Sequence, residues 1–142
     1  MNEILPAVFH WTTLHPRIQI PVSSYYLAEE RVLIDPFVPA AGIESLPEPP
    51  GNVLLTNRHH YRDSGKFAER FGCTVWCVES GLCEFTHGEK VEPFRFGDDL
   101  PGGIHAIEIG AICPDETALL FPGKKMVALA DGVVREADGP LC

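Results

Sequence analysis

The chain has 142 residues, 45% of them hydrophobic, with a mean hydropathy of +0.03, so it can bury a core without disulfide or metal staples. Twenty acidic residues against 11 basic ones give a formal net charge of −9, which disfavours nucleic acid as a partner. No run reaches the roughly eighteen apolar residues needed to span a bilayer, and MNEILPAVFHW has neither the basic nor the continuous apolar region of a secretory signal. The expectation is therefore a cytoplasmic protein with no membrane partner.

The five cysteines, Cys73, Cys77, Cys83, Cys113 and Cys142, are odd in number and irregularly spaced, which fits reduced thiols rather than a disulfide framework. Cys73-x3-Cys77-x5-Cys83 has the residue types of a zinc site. However, Thr74-Val75-Trp76-Cys77 reads as a buried strand with side chains alternating between faces, so buried structural thiols are expected.

Thirteen prolines and thirteen glycines divide the chain into short pieces suited to short strands. His10 and His15 fall in a polar loop near the amino terminus. Ile18, Ile20 and Val22 alternate with polar or small residues, and Tyr25-Tyr26-Leu27 leads to a turn at Glu29-Glu30. The apolar run Val32-Leu33-Ile34, closed by Asp35-Pro36, completes a hairpin. One short helix is expected between Phe37 and Leu46, before the connector Pro47-Glu48-Pro49-Pro50-Gly51. Val53-Leu54-Leu55 reads as a buried strand. Phe67, Ala68 and Phe71 share a helical face in a helix from Tyr61 to Phe71, with Gly72 as its stop. Val75-Trp76 resumes a strand. The polar loop Thr56 to His60 thus lies at the carboxyl end of the first strand of a strand–helix–strand unit, where sites in open α/β arrangements are usually built. Four further strands follow: Val91 to Phe96, Ile104 to Ile109, Thr117 to Phe121 and Met126 to Ala130. The whole is expected to be β-rich with two or three helices.

Other motifs carry less. His105 alternates with Ile107 and Ile109 and is expected beside an apolar face, and His87 in a turn. Tyr25 and Tyr26 suit core packing. G-x-S-x-G is absent, and Pro101-Gly102-Gly103 lacks the lysine and helix of a phosphate loop.

Taken in order, Val32-Leu33-Ile34-Asp35-Pro36, then Leu54-Leu55-Thr56 with Asn57-Arg58-His59-His60-Tyr61-Arg62-Asp63, then GAICPDETALL and finally Leu129-Ala130-Asp131 resemble the metallo-β-lactamase fold. The resemblance covers nearly the whole chain. It implies one domain over residues 1–142, an αββα sandwich of the α+β class, β-rich and incomplete relative to the family in its last helices and strand. Ala137 to Cys142 does not read as a finished terminus, and one sheet face is expected to lie bare and be covered by self-association unless the chain is a fragment.

The family's zinc chemistry needs imidazoles and carboxylates that fix the metal yet leave a position open for water. The resemblance puts Asn57 at the first histidine of H-x-H-x-D-H and His59 at the second. Tyr61 stands at the aspartate, Arg62 at the third histidine, Ala111 or Ile112 at the next ligand, and Asp131 at the bridging carboxylate. Two ligands survive, and Arg62 brings a fixed cation into the pocket. The variant Thr56, Asn57, His60, Arg62, Asp63 also resembles a divergent branch of the fold. There two alternatives stand: an ion-pair network of Arg62, Asp63 and His60 in the space of the metals, or His60 and Asp63 as first-turn residues of a helix. Asp35 either orients the motif loop by hydrogen bonding or ends its strand, and the resemblance favours the first.

The candidate cleft is thus His59, His60, Asp63, Asp131, Asn57, Arg62 and Asp35, with no cofactor expected. The functional expectation is a hydrolase-like protein with a degenerate metal site that binds an unknown small molecule or partner. The alternative is an active hydrolase of an ester, thioester or related bond, with one zinc or other divalent metal on His59, His60, Asp63 and Asp131.

Overall fold

The computed structural model describes residues 1–133. Seven strands form one sheet in chain order: β1 (Asn2–Leu5), β2 (Val8–Leu14), β3 (Pro21–Leu27), β4 (Val32–Ile34), β5 (Asn52–Leu54), β6 (Thr74–Val78) and β7 (Glu92–Phe94). The pairs from β1 to β4 are antiparallel and those from β4 to β7 parallel. A second, antiparallel sheet runs in the order β11 (Met126–Ala128), β10 (Thr117–Phe121), β9 (Ile104–Glu108), β8 (Asp99–Leu100).

The side-chain period of two explains the layers. Val32, Ile34 and Leu54 point from the first sheet towards Ile104, Ala106, Leu119 and Phe121 of the second, and this inter-sheet core is closed by Val8, Leu27 and Phe94. Leu33, Val53 and Val75 point the other way, onto Phe67 of helix α1 (Ser64–Phe71). Both faces of β4 are therefore buried, which is why its sequence is unbroken Val-Leu-Ile rather than alternating. Leu33 is fully buried, and truncating it to alanine costs about 2–5 kcal/mol by the usual transfer and cavity terms.

Helix α1 ends where expected: Gly72 adopts φ 72° and its N–H bonds the Ala68 carbonyl. It begins later than its pattern implied, because Arg58–His60 form a separate 3-10 turn and Arg62 at φ 46° breaks the helical path. It is the one α-helix among the described residues. The helix expected between Phe37 and Leu46 is only a 3-10 turn at Ile43–Ser45.

A larger correction concerns the amino terminus, where two strands stand in place of a polar loop. His10 lies in β2 with Nε2 3.0 Å from the Ser23 hydroxyl, and its ring packs 4.9 Å from that of Tyr25. The outer face of the second sheet exposes Ile107, Ile109, Val127 and Leu129. The Ala137 to Cys142 segment lies outside the described residues. No helix among them is long and apolar enough to cross a membrane.

Candidate functional site

Parallel pairing of β4 with β5, Ile34 opposite Leu54, brings the two strand ends side by side, so Asp35 meets Thr56. The buried Asp35 carboxylate accepts the Thr56 backbone N–H at 2.9 Å and the Thr56 hydroxyl at 2.5 Å. Asp35 itself holds φ 45°. Two non-glycine residues in left-handed conformation, Asp35 and Arg62, thus flank one rim, a concentration of strain typical of functional sites.

His60 lies over this carboxylate. Its Nδ1 is 3.0 Å from Asp35 Oδ2 and 3.0 Å from Thr56 Oγ1, and its Nε2 is 3.4 Å from Asp131 Oδ2. Burial alone would lower the His60 pKa, but the Asp35 charge and the hydrogen bonds to Asp131 and Asp35 outweigh it and raise the value to about 9. Burial would likewise raise Asp35, yet His60, Arg62 and the Thr56 hydroxyl hold it below the ordinary carboxylate value. Asp131 is lowered chiefly by its hydrogen bond from His60. At neutral pH the imidazole is therefore a cation between two carboxylates.

Arg62 is the second cation. Its Nη1 donates to the carbonyls of Ser23 and Asp35, both at 2.6 Å, and its guanidinium carbon sits 5.3 Å from the centroid of the Phe37 ring. Nε is buried without a hydrogen-bond partner.

The second sheet supplies the opposite side. Thr117 N–H bonds the Thr56 carbonyl at 2.8 Å, which places Asp115 and Glu116, just before β10, against the motif loop. Asp115 is fully buried and accepts the Arg58 backbone N–H at 2.6 Å and its Nη1 at 2.5 Å. Glu116 accepts Gly132 N–H at 2.9 Å and the Asn57 amide at 3.2 Å. That same amide donates to Asp131 at 3.2 Å, while Asn57 Oδ1 accepts the His59 N–H at 2.9 Å as an N-cap.

A cleft of about 510 Å³ opens above these residues, with Arg58, His59, His60, Arg62 and Asp131 on its lining. Of the seven candidate residues, His59, His60, Arg62 and Asp131 line it. Asp35 and Asn57 are buried and absent from its lining, Asp35 holding His60 and Asn57 holding Asp131. Asp63 must be corrected. It neither lines the cleft nor pairs with Arg62, because its Oδ2 accepts the Val38 N–H at 2.8 Å and its Oδ1 meets Lys66 at 2.8 Å. The His59 side chain is largely exposed, with Nδ1 4.0 Å from Glu84 Oε1.

Arg58, Asp115 and Glu116 were not among the candidates, although two adjacent acids directly before the apolar strand Thr117–Phe121 were a visible signal in the sequence. Nor was the tip of the β2–β3 hairpin, whose Ile18 and Ile20 form one wall of the cleft. Cys73 and Cys77 are buried as expected, but Cys83 is exposed, since it lies on the 3-10 turn after β6 rather than in the strand; the four described thiols are free.

Thirty-four chains of solved structures match this architecture. A metallo-β-lactamase family protein from Thermus thermophilus aligns at TM-score 0.71 and 18% identity, over 95% of this chain and 62% of its own. Rubredoxin oxygen:oxidoreductase from Desulfovibrio gigas aligns at 0.69 and 13%, over 89% and 39%. A protein solved in a di-iron-bound form aligns at 0.65 and 18%, over 92% and 70%. No family model matches the sequence, and no curated protein does. The chain has the metallo-β-lactamase fold, and it spans 62% and 39% of the first two of these neighbours.

The donors at the rim are engaged with one another. Both His60 nitrogens face carboxylates of this chain, Arg62 brings a fixed charge beside them, and no three His, Cys, Asp or Glu side chains among the described residues could share one ion.

Proposed function

We propose that this chain is a hydrolase-like protein with a degenerate metal site, which binds a small molecule in the cleft and does not work as a dinuclear zinc hydrolase. One observation carries the proposal: the carboxylates of Asp35 and Asp131 already have internal cations, His60 between them and Arg62 beside them. A dication entering here would have to displace or deprotonate His60 and sit beside a guanidinium that cannot lose its charge. Without a metal the site also lacks the usual means of making hydroxide at neutral pH. A single-metal site on His59, His60, Asp63 and Asp131 finds no support, since Asp63 is committed to the Val38 N–H.

The cleft volume falls within the roughly 300–1,000 Å³ common for small-molecule sites. The test is elemental analysis of protein purified without chelators, paired with thermal melting with and without a chelator. The expected outcome is substoichiometric metal and an unchanged melting point. One or two metal ions per chain, with a melting point lowered by chelation, would overturn the proposal.

A further inference from the structure

We propose that the cleft takes a small organic carboxylate with an apolar body, its head against Arg58 and His59 and its body between Ile20 and Phe85. This rests on the reading of the cleft as a small-molecule site and adds the chemistry of its ligand.

The head group follows from which hydrogen-bonding capacity is already used. Asp131, a half-exposed carboxylate on the cleft lining, accepts from both His60 and Asn57 through Oδ2. The donors are less committed. Arg58 uses only Nη1, on Asp115, so Nε and Nη2 have no partner among the described residues, and neither is a buried unsatisfied atom. The His59 ring approaches Glu84 only to 4.0 Å, too far for a hydrogen bond. A lining with spare N–H groups calls for a ligand that accepts without donating, and a carboxylate offers two oxygens to the guanidinium edge. A cationic head would meet Arg58, His60 and Arg62. A dianion would meet Glu84 and Glu89, which also line the cleft. A single negative charge satisfies both limits.

The body follows from the walls. Ile18 and Ile20 are 57% and 53% exposed at the hairpin tip, an unusual exposure for two isoleucines on the lining of one concave site. The hairpin tip is braced there: the His15 Nδ1 accepts the backbone N–H groups of Arg17 and Ile18, and the His15 ring packs edge-on at 5.6 Å against Phe37, the ring that carries Arg62. The lining also includes Phe85, whose ring lies 5.6 Å from that of Tyr61. An alkyl or aryl group would cover these surfaces while its carboxylate reaches Arg58 and His59.

The experiment is a nuclear magnetic resonance titration of the whole chain with hexanoate, acetate, hexan-1-ol and hexylamine, following backbone amides of residues 15–22, 58–62 and 84–85. Hexanoate is expected to move these amides, with acetate at least about tenfold weaker for want of apolar burial. Hexanol and hexylamine are expected to be weaker by a similar factor. His59→Ala and Ile20→Ser change exposed side chains, and each is expected to weaken hexanoate by about threefold or more while amide dispersion away from the cleft stays unchanged. Hexanol or hexylamine binding the cleft as tightly as hexanoate would overturn the carboxylate head while the cleft remained a small-molecule site. Failure of all four probes to reach the cleft would overturn the ligand class, and metal content then decides separately whether the underlying reading stands.

Discussion

The Nδ1 of His60 lies 3.0 Å from Oδ2 of Asp35, and the carboxylate beneath the ring is buried. The pair fixes a charge state and so a pH dependence. The folded pKa of His60, about 9, stands above its ordinary value of 6.5, so the charged form is favoured by folding. Its contribution is full below about pH 6.5 and is lost as pH rises through about 9. A shift of this size corresponds to on the order of 3 kcal/mol. Denaturant melts from pH 6 to 10 are expected to show stability falling across that window, and the His60 ring proton is expected to titrate near its upper end. A midpoint below 7 would show that the imidazole is neutral.

Replacing Asp35 by asparagine removes the charge but keeps an acceptor for the Thr56 N–H. Burial then acts on His60 against the Asp131 hydrogen bond alone, so its pKa should fall well below the wild-type value of about 9 and the pH 6.5–9 window should shrink. Breaking a buried pair from one side costs about 3–5 kcal/mol. The Asp35→Asn/His60→Phe double variant is expected to recover part of that loss, because the buried imidazole left without its Asp35 partner is gone as well. With His60→Phe completing the cycle, a double-variant loss equal to the sum of the two single-variant losses would mean that the two side chains are not coupled.

The layers were legible in the sequence wherever a short apolar run is buried on both faces, as in Val32-Leu33-Ile34, or where a glycine ends a helix, as at Gly72. The two amino-terminal strands were not. Phe9, Trp11 and Thr13 alternate with His10, Thr12 and Leu14, but an edge hairpin open to solvent mixes polar and apolar residues on both faces and blurs the period. At the site, motif spacing located His60, Asn57, Arg62 and Asp131. It could not show that Asp63 turns back to cap the Val38 N–H, because that bond depends on the path of the loop after Asp35. Asp115 and Glu116 stood out as two acids before an apolar strand, but what they hold was not legible, for a related reason. A buried acid is tolerated only with partners, and those partners, the Arg58 N–H and guanidinium and the Gly132 N–H, come from distant parts of the chain.

Gly81 is buried where Cys77, Arg58 and Asp115 approach, and a Cβ there would lie 2.8 Å from the Cys77 sulfur and 3.3 Å from the Cβ atoms of the other two. Gly81→Ala should therefore force the Cys77 sulfur to shift and press on the Arg58–Asp115 pair. Overpacking of this kind costs about 1–3 kcal/mol. The measurement is denaturant unfolding of Gly81→Ala against wild type, where unchanged stability would show that the loop gives way freely.

Arg62 offers the sharpest separation of charge from packing. Its positive charge lowers the pKa of His60, by repulsion, and lowers those of Asp35 and Asp131, by attraction. Removing the charge with Arg62→Met should therefore raise all three. The His60 titration then moves above its wild-type midpoint, and the carboxylates protonate at higher pH. Arg62→Lys keeps a point charge but loses the planar fork that serves the Ser23 and Asp35 carbonyls, so the three titrations should stay near wild type. Stability is expected to fall in both variants, by on the order of 1–3 kcal/mol for methionine, which takes a charged donor from the part-buried Ser23 and Asp35 carbonyls, the latter keeping only the Ser24 hydroxyl, and by less for lysine. A depressed carboxylate contributes stability above its unfolded pKa and loses it as pH falls through the folded value. The methionine variant should accordingly lose resistance to acid less steeply than wild type, since part of that contribution is already gone at neutral pH. Ring-proton titration of His60 and acid denaturation of the three proteins test this together. Titrations that move equally in the lysine and methionine variants would mean that Arg62 acts through loop geometry alone, and its place as an internal counter-ion would fall.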